Sequence, residues 1–402
     1  MKTVAQYKDS VAALLSGIDL SNIDNLNGAL ERAARTLVQK ADVPEASGIQ
    51  NITLYSGVFD YLCDTRIFGT AINDIRPQGI SRNYTDDVLK MGQQDFDRTK
   101  RFYPSGTIST FQYQNGTPII RIVAPFPTQQ LILSTMTDAG DWTAGGGATD
   151  LFTDPTFFYQ NPASIRFNLA ALSSPGTLST TLQSPVDMTS YLGVAKVFLA
   201  VEMPTASDIT SYTLRLGSDS GNYYSMTTTS GFLGAFTSDE FQLAPFDFSS
   251  YTTTGTPDIT AIQYIEVRVA YNGTAQTNMR IGGLFASLPS PAQILYQSAA
   301  IFLPSGASQP LTTITDDTDT IILNDAAYTI YEYEGASSIC QQTGGTMGSG
   351  MIQTFNGILN GIGETPGLYS MYRGDNPSQE IRTVGSWYDN SSSYGNNFRN
   401  YN

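Results

Sequence analysis

Ser211-Tyr-Thr-Leu-Arg-Leu-Gly-Ser-Asp-Ser-Gly-Asn-Tyr-Tyr-Ser-Met226 is the stretch on which the reading of the fold turns. Tyr212, Leu214 and Leu216 fall on one side of an extended chain, and Thr213 and Arg215 on the other. This period of two marks a half-buried strand. Gly217, Asp219, Gly221 and Asn222 suit a turn, since Gly tolerates positive φ and Asp and Asn bond their own backbone. The spacing therefore predicts a hairpin. Similar runs surround it. Ile165, Phe167 and Leu169 alternate with Arg166 and Asn168; Val197, Leu199 and Val201 alternate with Lys196, Phe198, Ala200 and Glu202; Ile265, Val267 and Val269 alternate with Tyr264, Glu266 and Arg268. Met279 and Ile281 lead into Gly282-Gly283, a bulge signal, and then into Leu284, Ala286 and Leu288. Short alternating runs separated by turns predict an antiparallel two-sheet β-sandwich over residues 164–288.

Working outward, the sequence predicts an α+β multidomain chain. The sandwich is inserted between an N-terminal α/β region (residues 1–130) and a C-terminal helical region (289–388). Residues 131–163, with Gly145-Gly146-Gly147 and little periodicity, read as a linker or strap. At the N-terminus, Val4, Tyr7, Val11 and Leu14 share one helical face, and Leu26, Leu30, Ala33 and Leu37 another. Ser21 and Asn22 suit the cap of the second helix, and the pair reads as an αα-hairpin. Asn115-Gly116 is a strong hairpin signal between strands 109–114 and 117–123. Asp316, Asp317 and Asp319 form an acidic, solvated turn ahead of a helix over 324–342. Residues 389–402, rich in Asn, Ser and Tyr, read as a polar tail.

Charged residues are only 14% of the chain, and neutral polar residues and tyrosine take their place. Such a surface suits extended protein contact. The net charge of −15 argues against a nucleic-acid groove as the main function, although Arg98, Lys100 and Arg101 leave a local basic patch open. The chain has no histidine, which removes the commonest general base and metal ligand. Cys63 and Cys340 form no metal motif and read as incidental buried cysteines of a protein made in a reducing cytoplasm, against the alternative of a single disulfide. No secretory leader is read at the N-terminus. No run approaches the ~20 apolar residues that span a bilayer, so no membrane role is expected.

Few residues suggest a site. Asp138, Asp141, Asp150 and Asp154 offer oxygen ligands for Ca²⁺ near the sandwich entry, against the ordinary alternative of turn capping. Tyr223, Tyr224, Phe232 and Phe236 offer rings to a sugar, with Asp239 and Glu240 for its hydroxyls, against core or interface packing. No cofactor motif is present.

The segments Leu214–Tyr224 and Gly255-Thr-Pro-Asp-Ile-Thr-Ala-Ile-Gln-Tyr-Ile265 resemble the jelly-roll, carbohydrate-binding-module-like domains common in phage virion proteins. Tyr55-Ser-Gly-Val-Phe-Asp-Tyr-Leu62 with Asp74-Ile-Arg-Pro-Gln78, and the helical entry after Asp319, are similar to parts of phage head–tail connector and tail proteins. The resemblance implies a non-enzymatic structural component of a tailed-phage virion, in the neck or tail, made in the host cytoplasm. It would assemble as a homo-oligomeric ring with portal, connector or tail components. Leu30, Leu37, Tyr328, Tyr331 and Phe355 are the expected interface residues, on the argument that the flanking helices cannot bury their apolar faces within one subunit. The alternative is a glycan- or receptor-binding virion protein that uses the jelly roll. A glycosidase with paired carboxylates comes third.

Overall fold

The structure is a computed structural model that describes residues 1–15, 20–41, 43–64, 66–77, 89–90, 108–114, 117–123, 130–159, 161–172, 174–343, 345–362 and 365–375. It divides into two compact units. One consists of Met1–Ile52, Tyr61–Val123 and Ala292–Asn402, the other of Thr53–Asp60 and Ala124–Pro291.

The second unit is a β-sandwich. Its strands are β1 (Gln130–Ser134), β2 (Thr143–Gly146), β3 (Ala148–Asp154), β4 (Ser164–Leu169), β5 (Gly176–Val186) and β6 (Lys196–Glu202). They continue as β7 (Ile209–Asp219), β8 (Asn222–Thr228), β9 (Gln242–Asp247), β10 (Thr252–Thr254), β11 (Ile262–Tyr271) and β12 (Gln276–Ser287). The first sheet runs β3-β4-β12-β6-β9, with β1 also on β12; the second runs β10-β8-β7-β11-β5-β2. The predicted hairpin is β7–β8, paired from Tyr212 opposite Thr228 to Asp219 opposite Asn222. The predicted bulge is also present. β12 pairs with β4 up to Ile281 and with β1 from Leu284, and Gly283 between them has φ +70°.

Alternation supplies the core. Val197, Leu199, Val201 and Ile281 from the first sheet meet Tyr212, Leu214, Leu216, Ile265 and Val267 from the second, all fully buried. Each such aliphatic side chain contributes about 1.5–3 kcal/mol on burial. The outer side of the first sheet is also covered. Phe198 packs against Tyr55, Phe232 and Phe285 at ring distances of 5.2, 5.5 and 5.4 Å, and the Ser56 N–H donates to Ser287 Oγ at 2.8 Å.

Residues 131–163 are not a linker, because β1, β2 and β3 are integral to the two sheets. Their weak periodicity has a steric cause. β2 lies against β5 with Gly145 opposite Thr177 and Gly146 opposite Gly176. A Cβ on Gly146, which has φ +58°, would sit 2.1 Å from the Pro175 carbonyl oxygen. Two of its four residues pack by lacking side chains, which leaves little side-chain pattern to read.

The first unit is built around α3 (Asp325–Thr343), which packs with α1 (Val4–Leu14), α2 (Leu26–Lys40), α4 (Gly345–Asn360) and α5 (Leu368–Asp375). Both N-terminal helices pack on α3 and share one core with it. α1 opens with a capping box of Thr3 and Gln6, and the Val4 and Ala5 N–H groups donate to the Asp319 and Asp317 carbonyls at 2.9 and 3.0 Å. The acidic turn is thus a helix cap and not merely a solvated turn. The Asp319 carboxylate is buried and accepts from the Thr315 N–H at 2.7 Å. Asn25, not Ser21 or Asn22, caps α2, with Oδ1 accepting from the Gly28 N–H at 3.1 Å.

Strands Ile108–Gln114 and Thr117–Val123 pair antiparallel around Asn115-Gly116, as expected, although the turn itself lies outside the described residues. So do Arg98, Lys100, Arg101 and the tail over 389–402. Cys63 and Cys340 are buried and are not joined in a disulfide, and burial pushes the Cys63 thiol up to about 12. None of the described helices is long and apolar enough to cross a membrane.

The five expected interface residues require correction. Leu30, Leu37, Tyr328, Tyr331 and Phe355 all lie in the core of this unit. The Tyr7 and Tyr331 rings stack at 4.1 Å, Tyr7 Oη donates to the Tyr331 carbonyl at 2.7 Å, and Tyr331 Oη donates to the Leu30 carbonyl at 3.0 Å. The apolar faces of the N- and C-terminal helices satisfy each other within one chain. Leu30→Ala should therefore cost about 2–5 kcal/mol, the range for a buried leucine, in a urea titration of the full chain followed by helical circular dichroism. A loss below about 0.5 kcal/mol, the scale of a surface substitution, would contradict this packing.

Candidate functional site

The two sheets differ on their outer sides. That of the first is capped by aromatic side chains, whereas that of the second is polar. Because Tyr212, Leu214 and Leu216 of β7 point inward, Thr213, Arg215 and Gly217 point outward, and β8, β11 and β5 follow the same alternation. The register sets the outward residues in three cross-strand rows. The middle row is Ser225, Arg215, Glu266 and Ser179; on one side of it lie Tyr223, Gly217, Tyr264 and Thr181, and on the other Thr227, Thr213, Arg268 and Thr177.

Glu266 is the hub of this face. Arg215 Nη1 donates to Glu266 Oε1 at 2.9 Å and Tyr264 Oη donates to Oε2 at 2.6 Å. Arg268 Nε stands 3.6 Å from Oε1, close enough for an ion pair but too long for a hydrogen bond. The Arg215 guanidinium lies over the Tyr223 ring at 4.4 Å, a cation–π contact. Arg215 Nε is buried without a hydrogen-bond partner. Side-chain exposures of 22% for Arg215, 13% for Glu266 and 32% for Arg268 leave the cluster open to a ligand yet largely desolvated. Burial, then the hydrogen bond to Glu266, push the Tyr264 phenol well above its ordinary range, so it remains a donor at neutral pH. Gly217 separates the two tyrosines. A Cβ there would sit 2.1 Å from the Asn222 carbonyl oxygen, so no side chain fills the space between them.

Of the four rings read from the sequence, only Tyr223 is on this face. Tyr224, the next residue, points inward, donates to the Pro257 carbonyl at 3.2 Å and meets Phe248 edge-on. Phe232 joins the aromatic cluster outside the first sheet, and Phe236 packs edge-on against Tyr212 at 5.4 Å. Glu240 accepts from the Thr237 hydroxyl, and Asp239 holds a backbone φ of 61°. Sequence reasoning missed Arg215, Tyr264, Glu266 and Arg268 as a site. Their signal was the polar half of an alternation read only for its apolar half.

The four aspartates do not converge. Asp138 caps a short turn through the Gly140 N–H at 2.8 Å, Asp141 is exposed, and Asp150 accepts from Asn168 Nδ2 at 2.9 Å. Asp154 is buried and accepts from Arg280 Nε at 2.9 Å, while Arg280 Nη1 donates to Glu202 at 2.6 Å. Among the described residues no group of His, Cys, Asp and Glu is placed to hold a metal ion. Burial opposes ionisation of Asp154, but the Thr156 hydroxyl, Arg280 and the N–H groups of Thr156 and Phe157 outweigh it and hold the carboxyl well below its usual range.

No protein-family model matches the sequence, and no curated protein matches it significantly. Among solved structures, the chain is similar to a family 11 carbohydrate-binding module from Clostridium thermocellum in complex with a mixed-linked tetrasaccharide, at 13% identity over 39% of this chain and 94% of that one, with a TM-score of 0.29. It is similar to a family 30 carbohydrate-binding module of a cellulosomal cellulase of Clostridium thermocellum, at 10% identity over 39% and 96%, with a TM-score of 0.31. It is also similar to the enzymatically active domain of tailspike protein 4 of bacteriophage CBA120, at 13% identity over 38% and 20%, with a TM-score of 0.26. At these TM-scores the likeness carries no argument about ligand or activity.

The Asp154 geometry has a pH signature. A depressed carboxyl contributes stability that is present above the ordinary carboxylate pKa of about 4 and is lost as the pH falls below it. Thermal melts in a buffer series should show the native chain losing stability below about pH 4 more steeply than Asp154→Asn. Parallel curves would mean that Asp154 is not held down.

Proposed function

We propose that the sandwich unit binds glycans, and that the outer side of its second sheet is the binding face. One observation carries this reading: the register places Tyr223 and Tyr264 in one row, on either side of a glycine, beside a row of hydrogen-bonding Arg215, Glu266 and Ser225. A sugar ring presents C–H surface that packs on aromatic rings, and hydroxyls that pair with planar charged groups and alcohols. Such a face supplies both, and the mutual contacts of Arg215, Glu266 and Tyr264 hold these side chains in place before a ligand arrives, which lowers the ordering cost of binding. The proposal is of binding without turnover. The three rows carry one carboxylate, and glycoside hydrolysis ordinarily uses a pair. An assembly role finds no support in the five helical side chains that the sequence offered for it, since they are already covered within the chain.

The full chain should be retarded in affinity electrophoresis by at least one polysaccharide of a broad panel. Tyr223→Ala should weaken that binding about tenfold, or ~1.4 kcal/mol, with an unchanged melting temperature. Tyr224→Phe, on the inward side, should leave it unaltered. Absence of binding to every polysaccharide, or loss of binding in Tyr224→Phe but not in Tyr223→Ala, would refute the assignment of this face.

A further inference from the structure

The charge on the binding face does not balance. Across the three rows stand two guanidiniums, Arg215 and Arg268, and one carboxylate, Glu266. Both cations approach the same oxygen, Glu266 Oε1, at 2.9 and 3.6 Å, while the other oxygen is taken by Tyr264 Oη. One positive charge is therefore left over on a chain whose net charge is −15. The two guanidiniums repel each other across a partly desolvated site, where charge interactions are stronger than in bulk water.

Arg268 is the cation with capacity to spare. None of its N–H donors makes a hydrogen bond among the described residues, and at 32% exposure its side chain is the most open of the three charged groups. It stands opposite Thr213 on one neighbouring strand and Thr177 on the other, neither of which carries a charge. A guanidinium in this state presents a planar fork of donors, and its best partner is a carboxylate bound through two parallel hydrogen bonds. The distant acidic residues of the chain weigh little against this, since charges more than about 8 Å apart are largely screened at physiological ionic strength.

We infer that the ligand of this face is an acidic polysaccharide whose uronate carboxylate pairs with Arg268 while a sugar ring rests at Tyr223 and Tyr264. The inference rests on the glycan-binding reading and narrows it. A neutral glycan would leave the Arg268 donors to water and the surplus charge uncompensated, whereas a uronate supplies the missing anion at the missing place.

The test compares the full chain on two polyuronates, polygalacturonate and polymannuronate, with a neutral β-glucan. At least one polyuronate should bind at least about tenfold more tightly than the neutral polymer, the scale of a charge-assisted hydrogen bond, and that affinity should fall as salt rises. Arg268→Gln should remove the preference and the salt dependence while leaving the melting temperature unchanged. Tyr223→Ala should weaken binding to the polyuronate whether or not Arg268 is present. If the neutral polymer binds as well as both polyuronates, or if Arg268→Gln keeps the preference, the acidic-ligand inference is overturned and the glycan-binding reading stands. If none of the three binds and a broader panel is also negative, both fall. A sulfated polysaccharide bound in place of the polyuronates would overturn the carboxylate assignment.

Discussion

The register of β11 between β7 and β5 is the constraint on which the sandwich and its face both depend. With Val267 opposite Leu214 and Leu178, the apolar side chains of three strands meet inside. The same pairing sets Glu266 opposite Arg215 and Ser179 outside. A slip of one residue would turn the core to solvent and the charges into the interior. Hydrophobic burial therefore fixes the geometry of the polar rows without any polar residue having to specify it.

The two outer surfaces of the sandwich have opposite characters. That of the first sheet carries Phe198 and Phe285 and is sealed by Tyr55, Phe232 and the segment Thr53–Asp60. That of the second carries Thr, Ser, Arg, Glu and Tyr. Both surfaces contain aromatic rings, but the first uses them as cover and the second leaves them half-exposed beside hydrogen-bonding partners. A ring count from the sequence could not separate these uses, because the difference lies in what stands opposite each ring on the neighbouring strand.

Much of the sandwich was legible in the sequence because alternation is a local signal. Tyr212, Leu214 and Leu216, and Ile265, Val267 and Val269, announce their inward side without reference to any partner. The helix from Asp325 to Thr343 was legible for the same reason. What escaped was non-local or had no side chains to read. Thr143–Gly146 hides as a linker because glycine leaves no periodicity. The cover of α1 and α2 comes from a helix about 300 residues away, so their apolar faces looked unpartnered when read alone. The site escaped in part because its members come from β7, β8 and β11 and are assembled only by strand pairing; of the rings proposed beforehand, Tyr223 alone was placed on it.

The interlocking of α1 and α2 with α3 also orders the birth of the molecule. On a ribosome, α1 and α2 emerge before α3 and wait for a partner that is synthesised only after the whole sandwich segment has passed. Contacts of such wide sequence separation close late and carry a large loop-closure cost. Apart from Thr53–Asp60, the sandwich unit is one continuous stretch, Ala124–Pro291, and can begin to pack while the helical unit is still incomplete. During that interval the amphipathic face of Leu30, Ala34 and Leu37 is uncovered. This nascent chain is the state in which a chaperone would find a binding surface that the finished protein no longer displays.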